Sequence, residues 1–341
     1  MPDVREVYEM VTKQKPSDTG ALERQRTRQI RTMRNRKIGA YAVAAVLFAI
    51  AAIVAVNSLP GRGGTDKVGD HPKVPVSTRS GRYFLDLETG ATRSLPDGIP
   101  QGEFYAVSPD RTMVATNRCC SGNDPAWIVN IDGTELQPIT EGEMDGYGPR
   151  WSPDGSMLVF QGRDGSTSEL GDLFVVDVAT GDRTRITNLG PKSYEPWFLS
   201  PSFTPDGRSV LFQMPRGKGL TPAGWDLWSV PVDGGEPTLV NRGASMGAYS
   251  VEGTLAYGSP SPGDWSSDIL VISYDFITAG VAFGDEIAFP RWSPDGTRIA
   301  YVDRGSVYVV DNPTHASSRV RVAEGGSGEW FDNDTLIISP D

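Results

Sequence analysis

The feature that most constrains the fold of this chain is a six-residue motif, R-W-S-P-D-G, that occurs twice without change. It occupies residues 150–155 and residues 291–296. Looser copies occur elsewhere, and each copy precedes a short apolar stretch such as residues 157–160. Equivalent positions in the six copies, separated by 44, 52, 46, 43 and 38 residues, are Ser108, Ser152, Thr204, Ser250, Ser293 and Phe331. A repeat of about forty residues with four short strands is typical of a β-propeller blade.

The motif has the chemistry of a tight turn between two strands. Proline presets φ at the first corner, the aspartate side chain hydrogen-bonds back to the backbone, and glycine accepts positive φ where the chain reverses. The tryptophan before the turn, Trp151 in one copy and Trp292 in the other, is suited to packing between neighbouring blades. The motif therefore predicts a hairpin in each repeat, with an aromatic contact to the next blade.

The two ends of the repeat region complement each other. Each motif is followed by a second hairpin, for example residues 173–181 running into residues 183–187. Residues 82–90 have the pattern of a second hairpin with no motif before it, and residues 330–339 that of an inner pair with no hairpin after it. Joined, they complete one blade, which ties the domain's ends together and removes open sheet edges. The sequence thus predicts an all-β domain of six blades.

The repeats resemble the PD40 repeats of TolB-like propellers, a WD40-like group. The resemblance covers residues 80–341 and is carried by six spaced copies of the motif. It implies an all-β fold, a six-bladed β-propeller with terminal blade closure. We expect one transmembrane helix and a short cytoplasmic tail to precede this domain.

The predicted membrane anchor is an uncharged run at residues 38–56. As a helix with about 1.5 Å rise per residue it spans roughly 28 Å, close to the thickness of a bilayer's hydrocarbon core. Six arginines and one lysine lie within residues 24–37, so the positive-inside rule places the tail in the cytoplasm and the repeats outside. An uncleaved anchor is favoured over a cleaved signal peptide. The resulting domains are a basic tail (1–37), a transmembrane helix (38–56), a flexible linker (57–79) and the propeller (80–341).

The charges are divided unevenly along the chain. Residues 1–64 carry a formal charge of +6 and residues 65–341 carry −17, which together give the net charge of −11. An acidic outer domain repels nucleic acid and anionic lipid headgroups. We therefore expect no nucleic-acid partner.

The tail has an apolar stripe formed by Val4, Val7, Tyr8 and Val11, which predicts a short amphipathic helix. A helix of about three turns is marginal alone, so either a protein partner or the inner leaflet covers the stripe. Together with the Arg-rich run and the Ala-rich span, the tail resembles those of actinobacterial membrane proteins, some associated with extracytoplasmic-function sigma factors. This resemblance implies a cytoplasmic regulatory protein as a partner.

The longest loops of the propeller are expected on one face. The second turns of the blades, at residues 117–125, 162–171, 214–224 and 259–267, and the links between blades share this face, whereas the tight turns share the other. Long loops on a rigid scaffold usually carry recognition. We therefore predict a protein- or peptide-binding face, with the candidate contact residues Arg163, Tyr194, Trp197, Trp225 and Trp265.

No catalytic residue, metal site or cofactor is predicted. Residues 243–247 match G-x-S-x-G, but Ser245 lacks the strand–turn–helix context of a nucleophile elbow. The chain has two histidines, too few for a His-based zinc site, and residues 332–334 (Asp-Asn-Asp) favour a turn over a calcium cage. Cys119 and Cys120 are adjacent, so they form either a vicinal disulfide or two thiols that are free or linked to a partner.

These features favour a membrane-anchored, extracytoplasmic binding propeller of the cell envelope. It would recognise a protein, a peptide or an envelope component, and its tail would relay or localise that event. We expect no enzymatic activity. The alternatives are a propeller hydrolase or lyase with carboxylates in its central channel, and a passive cell-envelope scaffold.

Overall fold

The computed structural model describes most of the repeat region. The described residues are 81–118, 125–139, 145–163, 171–189, 199–216, 224–259, 269–274, 277–284, 287–311 and 319–339. The predicted tail, transmembrane segment and linker, together with the cysteine pair, lie outside these ranges and stay predictions. Within the described ranges, no helix has the length and apolar character needed to cross a membrane.

The described residues form 24 β-strands, numbered here in chain order. Strands β1 to β8 are Tyr83–Asp86, Thr92–Ser94, Gly102–Val107, Met113–Arg118, Ala126–Asn130, Gln137–Pro138, Asp145–Trp151 and Met157–Arg163. Strands β9 to β16 are Asp172–Asp177, Arg183–Arg185, Ser202–Phe203, Ser209–Pro215, Trp225–Pro231, Thr238–Arg242, Ser245–Tyr249 and Leu255–Ser259. Strands β17 to β24 are Ile269–Tyr274, Ile277–Phe283, Ala288–Trp292, Arg298–Asp303, Ser306–Asp311, Arg319–Glu324, Ser327–Trp330 and Thr335–Ser339.

The strands of the described residues assemble into six antiparallel sheets of four strands each. Blades 1 to 5 each use four consecutive strands, starting with β3, β7, β11, β15 and β19. Blade 6 combines β23 and β24 with β1 and β2, and β1 pairs with β24 through Tyr83 opposite Ile338 and Leu85 opposite Leu336. The predicted six blades and their closure by the two termini are therefore confirmed.

The innermost strands of successive blades, β3, β7, β11, β15, β19 and β23, contact one another in a closed ring. The hydrophobic core lies between blades: Leu173 of blade 2 packs with Phe212 and Val230 of blade 3, and all three are buried. Apolar side chains on both faces of each sheet are thereby removed from water, which is the main stabilising contribution.

Tryptophans of the motif link neighbouring blades, as predicted. The indole Nε1 of Trp151 donates a hydrogen bond of 2.9 Å to the carbonyl of Ala106 in blade 1. The Nε1 of Trp292 donates in the same way to the carbonyl of Ala248 at 3.1 Å, from blade 5 to blade 4. Each such bond satisfies an indole N–H that packing between blades would otherwise leave without a partner.

The tight turns follow the predicted chemistry. In blade 2, the Ser152 hydroxyl donates to Asp154 at 2.6 Å and accepts a hydrogen bond from the Met157 amide at 2.9 Å. Hydrogen bonds from Ser152 and Ser156 hold the pKa of the Asp154 carboxyl below its usual value. Gly155 has φ of 73°, and in the blade 1 copy, which lacks glycine, Arg111 takes the left-handed conformation instead with φ of 63°.

Candidate functional site

One position of the repeat recurs on the innermost strand of every blade, directly before the residue that packs between blades. Because these strands surround the central channel, the residues at this position form a ring around it. The six residues, from blade 1 to blade 6, are Ala106, Arg150, Ser202, Ala248, Arg291 and Glu329. The ring is therefore small and neutral in three blades but charged in blades 2, 5 and 6.

A cavity of about 380 Å³ occupies the channel on the side of the tight turns, here called the tight-turn face. Six aromatic residues contribute to its wall, namely Trp151, Phe203, Tyr249, Trp292, Trp330 and Phe331. Its rim carries the prolines of the motif and the exposed side chain of Val251. A concave space of this size, lined by aromatic side chains and a few charged groups, is typical of a ligand pocket.

The opposite end of the channel is narrow. The rings of Phe104 in blade 1 and Phe289 in blade 5 meet edge to face, with centroids 5.5 Å apart. A void of about 10 Å³, enough for roughly one water molecule, remains beside them and is lined by residues that include Tyr147, Gln161 and Ser200. The channel is thus a funnel that is wide at the tight-turn face and constricted toward the other face, here called the loop face.

The backbone is bent at the same place in four blades, two residues before the ring position. Gly148, Ser200, Met246 and Phe289 have φ of 56°, 46°, 52° and 52°, and three of them are not glycine. A non-glycine residue in this region costs on the order of 1 kcal/mol or more. In blades 2, 4 and 5 the sheet register shifts here as well. A bulge changes the direction of the side chain that follows it, so the strained backbone orients the ring residues although it lowers the stability of the fold.

Arg150, Arg291 and Glu329 form a charged layer between the cavity and the constriction. The two arginines come from opposite blades, and Glu329 lies 3.9 Å from Nη1 of Arg150 and 3.6 Å from Nε of Arg291. Their side chains are only 13%, 10% and 20% exposed for Arg150, Arg291 and Glu329. The charged layer therefore holds two buried positive charges against one negative charge.

Burial and the excess positive charge of the layer affect the pKa values of the arginines. Burial, together with repulsion from Arg150, lowers the pKa of Arg291 to about 9, although Glu329 opposes the shift. Burial also lowers the pKa of Arg150. A guanidinium group keeps its proton at neutral pH, so two positive charges stand against the single carboxylate of Glu329.

The guanidinium groups are oriented by carbonyls and leave donors unused. Nη1 of Arg150 donates to the carbonyls of Tyr105 (3.1 Å) and Pro149 (2.9 Å), and Nη1 of Arg291 donates to that of Pro290 (2.9 Å). In the part of the chain that the structure describes, neither the Nε nor the Nη2 group of either arginine makes a hydrogen bond. These groups are available to a ligand or to water.

The structure describes only some of the residues that were predicted to form a loop-face site. Trp225 is the first residue of β13, is half-buried and lies opposite Pro215, on the loop face. Arg163 ends β8, but its side chain lies outside the described part, as do Tyr194, Trp197 and Trp265. The loop-face site therefore stays a prediction.

Two other sequence predictions concern single residues. Ser245 opens β15, is buried, and its hydroxyl donates to the Gly258 carbonyl at 3.4 Å, so G-x-S-x-G here runs from a bend into a strand and not from a strand into a helix. The Asp332 carboxylate accepts a hydrogen bond from the Asp334 amide at 2.9 Å within the turn between β23 and β24, as the turn interpretation predicts.

The charged layer was not predicted from the sequence. The signal was present, because both unchanged copies of the motif begin with arginine, at residues 150 and 291. A turn that faces solvent does not require this residue. An arginine at a fixed position on the innermost strand of two blades therefore indicated a role inside the channel.

The chain matches no family model. An uncharacterized protein of Agrobacterium fabrum is 24% identical over 227 residues, which are 58% of this chain and 68% of that protein. The uncharacterized peptidase YuxL of Bacillus subtilis is 32% identical over 134 residues, and dipeptidyl-peptidase 5 of Porphyromonas gingivalis is 30% identical over 152 residues. These matches cover 36% and 43% of this chain, but only 19% and 20% of the two peptidases.

The similarity to peptidases contradicts the expectation that the chain has no enzymatic activity, so that expectation is wrong. It depended on the absence of a recognisable catalytic motif among the propeller residues. Two relatives that match these repeats are peptidases, and about four fifths of each lies outside the match. The missing motif consequently carries no weight against catalysis.

Solved structures resemble the whole propeller. A TolB candidate from Agrobacterium tumefaciens superposes with a TM-score of 0.59 at 16% identity, over 77% of this chain and 98% of that chain. TolB from Acinetobacter baumannii superposes with a TM-score of 0.54 at 17% identity, over 76% of this chain and 64% of that chain. At this identity the similarity concerns the fold alone. The chain has a TolB-like six-bladed β-propeller fold.

Proposed function

We propose that this chain is a membrane-tethered binding propeller that takes up a segment of a protein or peptide in its central cavity, from the tight-turn face. The observation that supports the proposal is the cavity of about 380 Å³, with its aromatic wall and its charged layer at the bottom. Aromatic side chains provide large contact areas at little entropic cost, which is why they are enriched at binding surfaces.

The shape of the cavity favours the end or the tip of an extended segment. The contact between Phe104 and Phe289 narrows the far side of the channel to a void of about 10 Å³, so a peptide segment would enter and leave by the wide mouth. The rim is built on hydrogen-bonded turns that are part of the blades, and a rigid rim limits the entropy lost on binding.

The proposed location is the outer side of a membrane. The uncharged segment 38–56 would anchor the chain, and the basic tail would face the cytoplasm and a regulatory protein there. An alkaline phosphatase fused after residue 341 tests the orientation, because this enzyme matures only outside the cytoplasm. An inactive fusion, present in normal amounts, would refute the proposed location.

Site-specific photo-crosslinking tests the binding site. A benzophenone amino acid replaces Val251 at the cavity rim, where the side chain is 66% exposed. Trp225 on the loop face and Leu239 on the outer strand β14, which is 38% exposed, are replaced in separate variants. The proposal predicts that a discrete protein or peptide is cross-linked at position 251 and not at position 239.

A cavity-filling variant makes the test specific. Ser202→Phe places a ring into the cavity from β11, and it should abolish the cross-link at position 251 without unfolding the propeller. A cross-link at position 225 alone would instead favour the loop-face site. A cross-link at position 251 that survives Ser202→Phe would show that the ligand binds outside the cavity.

Turnover of the bound segment is a second candidate function. The observation that favours it is the match of the repeats to two peptidases. Mass spectrometry of the captured segment tests it: time-dependent appearance of a shortened product, lost in Ser202→Phe, would support an enzyme. A segment that stays intact over hours would support binding alone.

A further inference from the structure

We infer that the charged layer is a subsite for a carboxylate group of the ligand. This inference rests on the proposed function, because it concerns the bottom of the same cavity. It goes further in naming the chemistry that the cavity selects, which is an anionic group delivered between Arg150 and Arg291.

The charge of the channel is opposite to that of the domain around it. Residues 65–341 carry a formal charge of −17, yet the charged residues that line the cavity and the constriction are Arg111, Arg150, Arg291 and Glu329. Within the described residues the lining therefore has a net charge of +2. Because two of these positive charges are buried, solvent screens them weakly and an entering anion is attracted strongly.

The two guanidinium groups are already held in place before any ligand binds. Backbone carbonyls fix Nη1 of Arg150 and Nη1 of Arg291, while the Nε and Nη2 donors of both remain without a hydrogen bond in the described structure. A guanidinium presents parallel N–H groups that match the two oxygens of a carboxylate. Binding thus costs little side-chain entropy, because the side chains do not have to be ordered first.

Glu329 acts as a resident counter-ion of the charged layer. Its carboxylate lies 3.6 Å and 3.9 Å from the two guanidinium groups, beyond hydrogen-bond distance, and makes no hydrogen bond among the described residues. It therefore forms ion pairs with Nη1 of Arg150 and Nε of Arg291, while the Nη2 groups of both arginines make no hydrogen bond in the described residues. A ligand carboxylate would gain those donors, but would be repelled by Glu329.

This arrangement predicts opposite effects for two substitutions that each remove one charge. Arg150→Gln removes a positive charge and should weaken the binding of a carboxylate. Glu329→Gln removes the repelling charge and should strengthen it. A purely structural role for the charged layer would make both substitutions weaken binding.

The experiment uses the full chain in mild detergent and measures peptide binding by tryptophan fluorescence at constant ionic strength, confirmed by calorimetry. The probes are acetyl-tetra-alanine with a free C-terminal carboxylate, the same peptide as a C-terminal amide, and acetyl-Ala-Ala-Glu-Ala amide. Inorganic phosphate serves as a fourth probe. The matched control variant is Arg208→Gln, which makes the same change at an exposed position outside the cavity.

The expected result is that at least one carboxylate peptide binds about tenfold more tightly than the amide, a difference of about 1.4 kcal/mol. Arg150→Gln should remove this preference, Glu329→Gln should increase it, and Arg208→Gln should leave it unchanged. Preference for the first peptide identifies a C-terminal carboxylate as the ligand group, and preference for the third identifies an acidic side chain. Phosphate binding more tightly than either peptide would overturn the assignment to a carboxylate.

Failure of the inference can be separated from failure of the proposed function. Equal affinities for acid and amide, or no binding of any peptide up to about 10 mM, would overturn the inference, whereas the cross-link at position 251 would still stand. Loss of the cross-link at position 251 would overturn the proposed function itself. Melting curves of each variant verify that the propeller is folded.

Discussion

The buried charges of the channel predict that two substitutions, Arg291→Met and Glu329→Gln, change the stability of the propeller in opposite directions. Burial, with repulsion from Arg150 added, lowers the pKa of Arg291 to about 9. Each pKa unit corresponds to about 1.4 kcal/mol, so the folded chain holds protonated Arg291 at a cost on the order of several kcal/mol at neutral pH. Methionine removes this cost, but it also loses the hydrogen bond to the Pro290 carbonyl.

The net effect of Arg291→Met should be a stabilisation of about 1–3 kcal/mol, the range seen when buried charges are replaced by apolar residues of similar volume. Glu329→Gln leaves the two guanidinium groups facing each other with no counter-ion in the layer. It should destabilise by about 2–3 kcal/mol, less than for a fully buried pair, because Glu329 is 20% exposed. A change of about 2 kcal/mol corresponds to roughly 4–8 °C in Tm for a domain of this size.

The assay is thermal and urea unfolding of the full chain in mild detergent, followed by near-ultraviolet circular dichroism of the tryptophans between the blades. A pH series tests the direction in which this stability difference changes with pH. Because the pKa of Arg291 is lower in the folded chain, the unfavourable contribution is fully present below the folded value of about 9 and is relieved as the pH rises through it. The advantage of Arg291→Met should therefore shrink above pH 9. If Arg291→Met destabilises the propeller as much as Glu329→Gln does, the Arg291 side chain stabilises the fold by packing. That result would refute the prediction that its buried charge lowers the stability.

Three further predictions concern the scaffold. Trp151→Phe removes the 2.9 Å hydrogen bond to the Ala106 carbonyl and should lower the free energy of unfolding by about 1–2 kcal/mol; an unchanged urea midpoint would contradict a role for this bond. Asp172→Asn removes a buried carboxylate that accepts two hydrogen bonds of 2.8 Å, and it should cost about 2–4 kcal/mol in the same assay. Asp110 and Asp154 have a lowered pKa because of turn hydrogen bonds, so their contribution is present above pH 3.8 and is lost as the pH falls through the folded values. The double Asn variant should therefore show a smaller loss of stability between pH 5 and pH 2 than the unmodified chain, and equal losses would contradict the turn assignment.

The fold was largely predictable because the repeat encodes local chemistry. Ser152, Asp154 and Gly155 make in the structure the turn that their order predicts, and the copies are spaced closely enough to count the blades. Closure was predictable because the pattern that is missing before residue 82 is the one found at residues 330–339. Local turn chemistry and the requirement to pair sheet edges were thus sufficient.

The candidate site was less predictable, because its position depends on geometry that no local pattern carries. The left-handed backbone at Met246 and Phe289, neither of which is a glycine, bends the innermost strands and directs the ring residues. The long loops predicted a binding site on the loop face. The described cavity opens instead at the tight-turn face, where the turns are too short to predict recognition. Repetition of arginine at residues 150 and 291 was visible, but only the ring of blades reveals that they face each other with Glu329 between them.

The proposed carboxylate subsite can be located by mapping the residues that a carboxylate probe contacts. Acetyl-tetra-alanine with a photoactivatable diazirine in its last residue is cross-linked to the full chain, and the modified residue is identified by mass spectrometry. The proposed carboxylate subsite predicts that the probe labels the innermost strands around the charged layer, at Ala106, Arg150 or Ser202. The labelling should be lost in Arg150→Gln. Labelling confined to the loop face, for example at residues 214–224, would contradict it.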